Sequence, residues 1–329
     1  MYKTRSSERW VWFFVGCALA AGIASAEEPR EWLERMNQAL VSRNYDGVFS
    51  HWQGGRVEML RIIHRLQDGE VTERLVSLDG SGREFIRSGA ELACYLPDKR
   101  TVVVERRPEG KPLLGNFPSF DESSAGVYDV QEVKRTRFNR RNTRVISVTP
   151  RDDFRYGYRL WIDESTAMPL KTQLCDGRGR VIEQMVFASL TLMARIPNAT
   201  FRPEVATDGF QWIRNEREPV RALAASPQVT WNAIKLPPGF RMTNRSAQLM
   251  PGSRSPVAHL VFTDGLASVS VFVESHTSEP VPKGQRSGAT RMGSSSAFST
   301  VIDGHKVTAV GEVPPATVRF IANSLKAGR

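Results

Sequence analysis

The side chains with the most chemical reach in this sequence are five histidines, one pair of adjacent aspartates and three cysteines, and their spacing limits what they can do. His51, His64, His259, His276 and His305 never fall at the short intervals that let two imidazoles share a metal, and no cysteine joins them in a C-x-x-C or H-x-x-x-H pattern. Asp152-Asp153 has the composition of an acid/base pair, but it lies in a charged loop between two strand-like runs, where solvated charge is the plainer reading. Gly80-Ser81-Gly82 follows one strand and runs into another, so it lacks the helix N-terminus that completes a phosphate cradle. A G-x-S-x-G elbow, a P-loop, G-x-G-x-x-G and H-E-x-x-H are all missing. The chain therefore reads as non-enzymatic, with no metal and no cofactor expected, and the lone histidines as surface or cross-strand residues.

The elements that position these groups are mostly strands. Pro29 to Asn44 has an apolar stripe of Trp32, Leu33, Met36, Ala39 and Leu40 behind a leading proline, which predicts one amphipathic helix. After it the period changes from 3.6 to 2. Runs at 45–53, 56–65, 71–78, 83–87, 91–96 and 101–107 are joined by tight-turn pairs such as Gly54-Gly55, Asp68-Gly69 and Asp79-Gly80, and further runs follow at 127–137, 143–149, 156–163, 170–175 and 181–190. Helices for parallel crossovers are lacking, so the sheet is expected to be antiparallel. A large sheet with one helix must curl around something to bury its inner face, which predicts an open barrel.

The segment Pro108–Gly126 interrupts the meander. It is rich in Pro, Gly and Ser yet carries Leu113, Leu114, Phe117 and Phe120. Two readings stand: a plug completing the core, or a lid over an apolar cavity. Residues 197–229 lose periodicity behind repeated prolines and read as a linker, partly packed through Phe210 and Trp212. Residues 230–329 form a second unit, with a hairpin around Asp264-Gly265, a strand pair turning at Gly304 and a last helix opened by Pro314-Pro315. Large-domain boundaries are thus 27–196 and small-domain boundaries 230–329.

The N-terminus reads as a targeting segment. Lys3, Arg5 and Arg9 precede an apolar run from Trp10, and Ala24-Ser25-Ala26 supplies a signal-peptidase site, giving a signal peptide over 1–26 and export. Lipidation at Cys17 is the alternative, since Val15-Gly16-Cys17 loosely matches a lipoprotein site, although Phe14 stands where leucine is usual. Cys94 and Cys175 remain after cleavage; a disulfide between them and two separate buried thiols are both open, and neither looks like a nucleophile. The whole chain of 329 residues carries a net charge of +10. The small unit has 11 basic against five acidic residues and holds most of the imbalance left after export. The densest basic cluster is Lys134, Arg135, Arg137, Arg140, Arg141 and Arg144. Export argues against nucleic acid as its partner, leaving a solvated strand face, or a polyanion such as lipopolysaccharide phosphate or an acidic peptide.

Six colinear stretches resemble the RseB/MucB family of periplasmic regulators: Leu78–Glu84; Thr149–Tyr158; Trp161–Asp163 with Leu170-Lys171; Leu236–Phe240; Asp264–Leu266 before Ser270–Phe272; and Val310–Pro315. They span about residue 30 to the C-terminus. The resemblance implies an α+β, predominantly antiparallel β fold, with a large LolA-like curved half-barrel domain with helices and a smaller C-terminal α+β domain. It also implies a periplasmic negative regulator. Such proteins bind the periplasmic part of a RseA/MucA-type anti-sigma factor, shield it from site-1 proteolysis and are released by lipid or lipopolysaccharide; they also self-associate as homo-oligomers. The family offers no catalytic motif to carry over. On the residues themselves, Leu113, Leu114, Phe117 and Phe120 are the expected cover of an acyl-chain trough, and Arg241, Arg245 and Arg254 the expected partner contacts. A lipid or lipoprotein carrier of LolA type is the alternative.

Overall fold

The computed structural model describes residues 28–106, 112–114, 126–215, 230–248, 256–274 and 288–328. The expected signal peptide, with Cys17, lies outside them. So do Phe117, Phe120 and Arg254.

Helix α1 (Pro29–Ser42) starts on its proline and buries Trp32, Leu33, Met36, Ala39 and Leu40, the stripe the sequence predicts. Each fully buried large apolar side chain contributes roughly 1.5–3 kcal/mol relative to exposure. The chain then enters β1 (Tyr45–Gln53), β2 (Arg56–Gln67), β3 (Glu70–Ser77), β4 (Glu84–Ser88), β5 (Glu91–Leu96) and β6 (Thr101–Arg106). Beyond the interruption come β7 (Tyr128–Phe138), β8 (Arg141–Pro150), β9 (Gly157–Asp163), β10 (Pro169–Cys175) and β11 (Val181–Leu192). With β12 (Gln211–Asn215) they make one 12-stranded sheet in the order β12-β6-β5-β4-β3-β2-β1-β11-β10-β9-β8-β7. Helix α1 touches both β2 and β7, which stand six places apart in that order. Strands are spaced about 4.8 Å apart, so one helix of about 10 Å diameter reaches both only if the sheet curls around it. The result is the expected half-barrel.

Two neighbours on β2 show how the sheet is covered on both faces. Ile62 points into the concave core with α1, whereas Ile63 packs with Ile196 and Phe201 on the convex side. Gly47 on β1 keeps the inner wall tight, since a Cβ there would come within 2.6 Å of the Phe187 ring.

The segment expected to be a linker over 197–229 is in large part domain. Phe201 is buried, the Glu204 backbone N–H donates to Glu84 at 2.9 Å, and β12 pairs in parallel with β6 from Gln211↔Thr101 to Asn215↔Glu105. Among the described residues it is the one parallel pair in an otherwise antiparallel sheet. The prolines that hide its periodicity punctuate a strap over the convex face instead of a free tether. Residues 216–229 lie outside the described segments.

The open question of a Cys94–Cys175 bridge is resolved against it: both are thiols, Cys94 on β5 and Cys175 at the end of β10. Five strands lie between them in the sheet order, and a disulfide needs Cα atoms within about 7 Å.

The small domain opens with β13 (Trp231–Ala233), β14 (Arg241–Gln248), β15 (Val257–Thr263) and β16 (Ser268–Glu274). It continues with β17 (Gly288–Met292), β18 (Ser295–Ile302), β19 (His305–Gly311), α2 (Pro315–Asn323) and β20 (Leu325–Ala327). Six strands form an antiparallel sheet, β14-β15-β16-β19-β18-β17, while β13 pairs with β20. Val269, Val271 and Val273 alternate inward on β16, and α2 sets Val318 and Ile321 against them over one core. Among the described residues no helix is long and apolar enough to cross a membrane.

Candidate functional site

The concave face of the half-barrel is filled by α1 over part of its area and left hollow over the rest. A cavity of about 380 Å³ is walled by Phe49, Leu60, Leu75, Leu174 and Met185, with Leu113 and Leu114 laid across it. Strand alternation aims the wall residues inward; Phe49 and Leu60 are directly opposite partners on β1 and β2. The short segment 112–114 is anchored, because the Leu113 backbone N–H donates to Glu73 Oε2 at 3.0 Å. Glu73 is fully buried and paired across strands with buried Arg87 at 3.2 Å. Burial pushes the Glu73 carboxyl up, against the opposing pull of the Leu113 N–H and the Arg87 charge. Leu113 and Leu114 line the hollow and also pack against the large-domain core, so the plug and the lid readings both remain open.

The hollow opens where the two domains meet. Arg155, in the β8–β9 loop, has 0 % exposure and lies 3.0 Å from Asp264, also 0 % exposed, in the β15–β16 turn. The same guanidinium pairs with Asp152 at 3.1 Å, donates to the Pro238 carbonyl at 2.6 Å and lies over the Tyr128 and Phe240 rings. Tyr128 donates its hydroxyl to Asp264 at 3.1 Å, and burial pushes that phenol far above its ordinary range. Asp264 also accepts the backbone N–H groups of Leu266 and Ala267, which holds Leu266 against the large-domain core. A second fastening joins Thr317, at the start of α2, to the Phe154 carbonyl at 2.6 Å, with Phe154 and Phe320 edge to face.

On the rim of the hollow sits a polar group drawn from both domains. Glu183 accepts from His51 at 2.9 Å, from Gln53 at 2.6 Å and from Ser294 at 2.8 Å; Ser294 lies 2.5 Å from Glu312. Gly293 permits this approach, having a positive φ of +62° and no room for a Cβ, which would fall 2.5 Å from Gln53. The hydrogen bond to Glu183 raises the His51 pKa. Burial opposes charge on Glu183, but the bonds from His51, Ser294 and Gln53 outweigh it and hold the carboxyl below its usual range. Burial and the neighbouring Glu183 push Glu312 up.

The basic residues singled out in the sequence are scattered and largely engaged. Arg241 opens β14, an exposed edge strand. Arg245 on the same strand donates to the Trp231 carbonyl at 2.9 Å and to Asn232 at 2.6 Å, tying β14 to β13. In the β7–β8 hairpin, Arg135 and Arg144 pair with Glu132, and Arg141 pairs with Asp163. Asp152 is one of the partners of Arg155, so the imagined acid/base pair serves the joint.

Sequence reasoning does not find Arg155, Glu183, Ser294 or Glu312 as a set. The available hint is that four of the six family-resembling stretches converge here: Thr149–Tyr158 carries Arg155, Leu236–Phe240 supplies Pro238 and Phe240, Asp264–Leu266 forms the inserted turn, and Val310–Pro315 carries Glu312.

Fold and site together define a two-domain architecture, a half-barrel whose hollow opens at a rim shared with a second domain. Among the described residues no group of His, Cys, Asp and Glu is arranged to hold a metal. The MucB/RseB N-terminal domain model matches residues 28–205, and the MucB/RseB C-terminal domain model matches 224–326. The chain belongs to the MucB/RseB family. It is 31% identical over 316 residues to the sigma factor AlgU regulatory protein MucB of Pseudomonas aeruginosa, covering 95% of each. The structure of the Pseudomonas aeruginosa MucA/MucB complex superposes with a TM-score of 0.70 at 28% identity, over 92% of this chain and 99% of that one. A crystal structure of MucB gives 0.58 at 27% identity, over 92% and 99%.

Proposed function

We propose that this protein is a periplasmic negative regulator of an extracytoplasmic-function sigma factor. It binds the periplasmic part of a MucA/RseA-type anti-sigma factor, shields that segment from site-1 proteolysis, and lets go when a lipid or lipopolysaccharide acyl chain enters the hollow. The observation that carries this reading is the location of the hollow at the domain joint. A ligand there acts on the domain arrangement, and a partner that reads the arrangement is coupled to it by linkage: each lowers the affinity of the other by the same factor. The overall similarity to MucB in its complex with MucA, at a TM-score of 0.70, supports a partner-competent arrangement of the two domains. The exposed Arg241 end of β14, in the more basic domain, is the proposed partner contact, together with Arg245 on the same strand and Arg254, which lies outside the described residues. Self-association belongs to the same reading.

A LolA-type carrier of lipid or lipoprotein is the second reading, favoured by the apolar wall and the Leu113-Leu114 cover. Calorimetric titration of residues 27–329 with the periplasmic segment of the host's anti-sigma factor separates them. The regulator predicts dissociation constants of about 1 μM or below. Folded protein that shows no heat with the segment and co-purifies with lipid would be a carrier.

A further inference from the structure

With every carboxylate ionised, the rim of the hollow would have more hydrogen-bond acceptors on Ser294 than that hydroxyl has protons to give. Ser294 Oγ lies 2.5 Å from Glu312 Oε1, 2.8 Å from Glu183 Oε2 and 2.9 Å from Gln53 Nε2. A hydroxyl has one proton to donate. Gln53 can only donate through its amide nitrogen, so the serine proton serves one carboxylate and the other must itself be a donor. Glu183 already accepts on both oxygens, from His51 on Oε1 and from Gln53 on Oε2. It is the carboxylate of the pair. Glu312 is the acid.

We propose that Glu312 is held protonated at the domain joint, and that the chain Glu312 O–H to Ser294 O–H to Glu183 is a proton-dependent fastener between the small and large domains. Ionising Glu312 sets two carboxylates against one hydroxyl and releases the fastener at the mouth of the hollow.

Burial and the Glu183 charge oppose the ionised form and outweigh the relief from the Ser294 hydrogen bond and the His51 charge. The groups facing Glu312 are His51 and Gln53 on β1, Glu183 on β11 and Ser294 in the β17–β18 turn, with the Tyr156 and Tyr158 phenols nearby. Glu58 on β2 adds negative charge near His51, and Arg291 on β17 acts on Tyr156. No ion pair to an arginine or lysine supports Glu312 among the described residues, unlike Glu73 and Asp264, which have Arg87 and Arg155. Its raised pKa agrees with the proton count. The sign follows: a carboxyl whose folded pKa lies above its free value stabilises the joint fully at pH below that free value, and the contribution is lost as pH rises through the folded pKa. His51, also raised, adds a loss in the same direction.

This inference stands on the joint itself and goes beyond the regulatory reading, so anti-sigma binding does not enter its test. Infrared difference spectra of residues 27–329 should show a protonated-carboxyl C=O stretch that disappears in Glu312→Gln. Small-angle X-ray scattering between about pH 5 and about pH 9 should show the radius of gyration rising with a midpoint above the ordinary glutamate value of about 4.3. The amide introduced by Glu312→Gln can donate to Ser294 at every pH, so this variant should stay compact and leave only the smaller step from His51. The proposal is overturned if the band is the same in both proteins. It is equally overturned if the wild-type radius does not change over this range, or if Glu312→Gln keeps the wild-type midpoint and amplitude.

Discussion

Arg155 and Asp264 form a salt bridge of 3.0 Å with no solvent exposure on either side chain, and each belongs to a different domain. The pair works as a joint because both charges are otherwise satisfied: Arg155 by Asp152, the Pro238 carbonyl and two aromatic faces, Asp264 by Tyr128 and two backbone N–H groups. Separating the domains exposes all of these groups to water together, so the joint should open as a unit.

Truncating Asp264 leaves buried Arg155 with Asp152 as its remaining counter-charge, so the cost should fall toward the lower end of the about 3–5 kcal/mol typical of a broken buried pair. Asp264→Ala is therefore expected to lower the urea midpoint sharply and to split one unfolding transition into two. Arg155→Met, which keeps apolar contact with Tyr128 and Phe240, should cost less than Arg155→Ala. Equal midpoints for Asp264→Ala and wild type would show that the joint contributes nothing to stability.

Leu113 and Leu114 line the hollow, while Phe117 and Phe120 lie outside the described residues. An aspartate at Leu114 would put a carboxylate among Phe49, Leu60 and Leu75, where burying charge costs several kcal/mol. Binding of a fluorescent fatty acid should fall at least ~10-fold, equal to about 1.4 kcal/mol. Glu73→Gln, which loosens the Leu113 anchor without filling the hollow, should weaken it less. Undiminished probe binding in Leu114→Asp would place the acyl site elsewhere.

Much of this fold was legible because period-2 alternation and the Gly-Gly and Asp-Gly turns determine strand pairing locally. The strands missed have identifiable reasons. β14 and β17 are sheet edges with polar side chains on both faces, so Arg241–Gln248 and Gly288–Met292 show no alternation. β12 hides behind Pro203 and Gly209 and is paired in parallel, which needs no local turn. The site was harder. Glu73 and Arg87 become a recognisable pair only once the β3–β4 register sets them opposite each other. Arg155 reads as a solvated loop charge until a turn from the other domain is packed on it.

Charge reversal separates the two arginines proposed for the anti-sigma factor. Arg241→Glu should lower partner affinity about tenfold and slow association. Arg245→Glu should also lower small-domain stability, because it removes the donors to Trp231 and Asn232 that hold β13 on β14. If calorimetry finds the affinity of Arg241→Glu unaltered, the partner seat is not at this edge.

The large domain has a pH response of its own, opposite in sign to that of the joint. His64 is 1 % exposed, stacked on Tyr45 with ring centroids 4.9 Å apart, and its Nδ1 lies 2.9 Å from the Arg43 carbonyl. Burial lowers its pKa, and the Arg87 charge adds to the effect. A histidine held neutral in the fold binds its proton more readily when unfolded, so its contribution is present above the free value of about 6.5 and lost as pH falls toward the folded pKa. Acidification below about pH 6.5 should therefore lower the Tm of the large domain while the Glu312 joint tightens. His64→Phe, which preserves the stack on Tyr45, should flatten the acid limb of the large-domain Tm and leave the alkaline expansion of the whole chain in place. Scanning calorimetry of the two proteins across the pH range decides it, and an acid limb unchanged in His64→Phe would assign that response to the carboxylates alone.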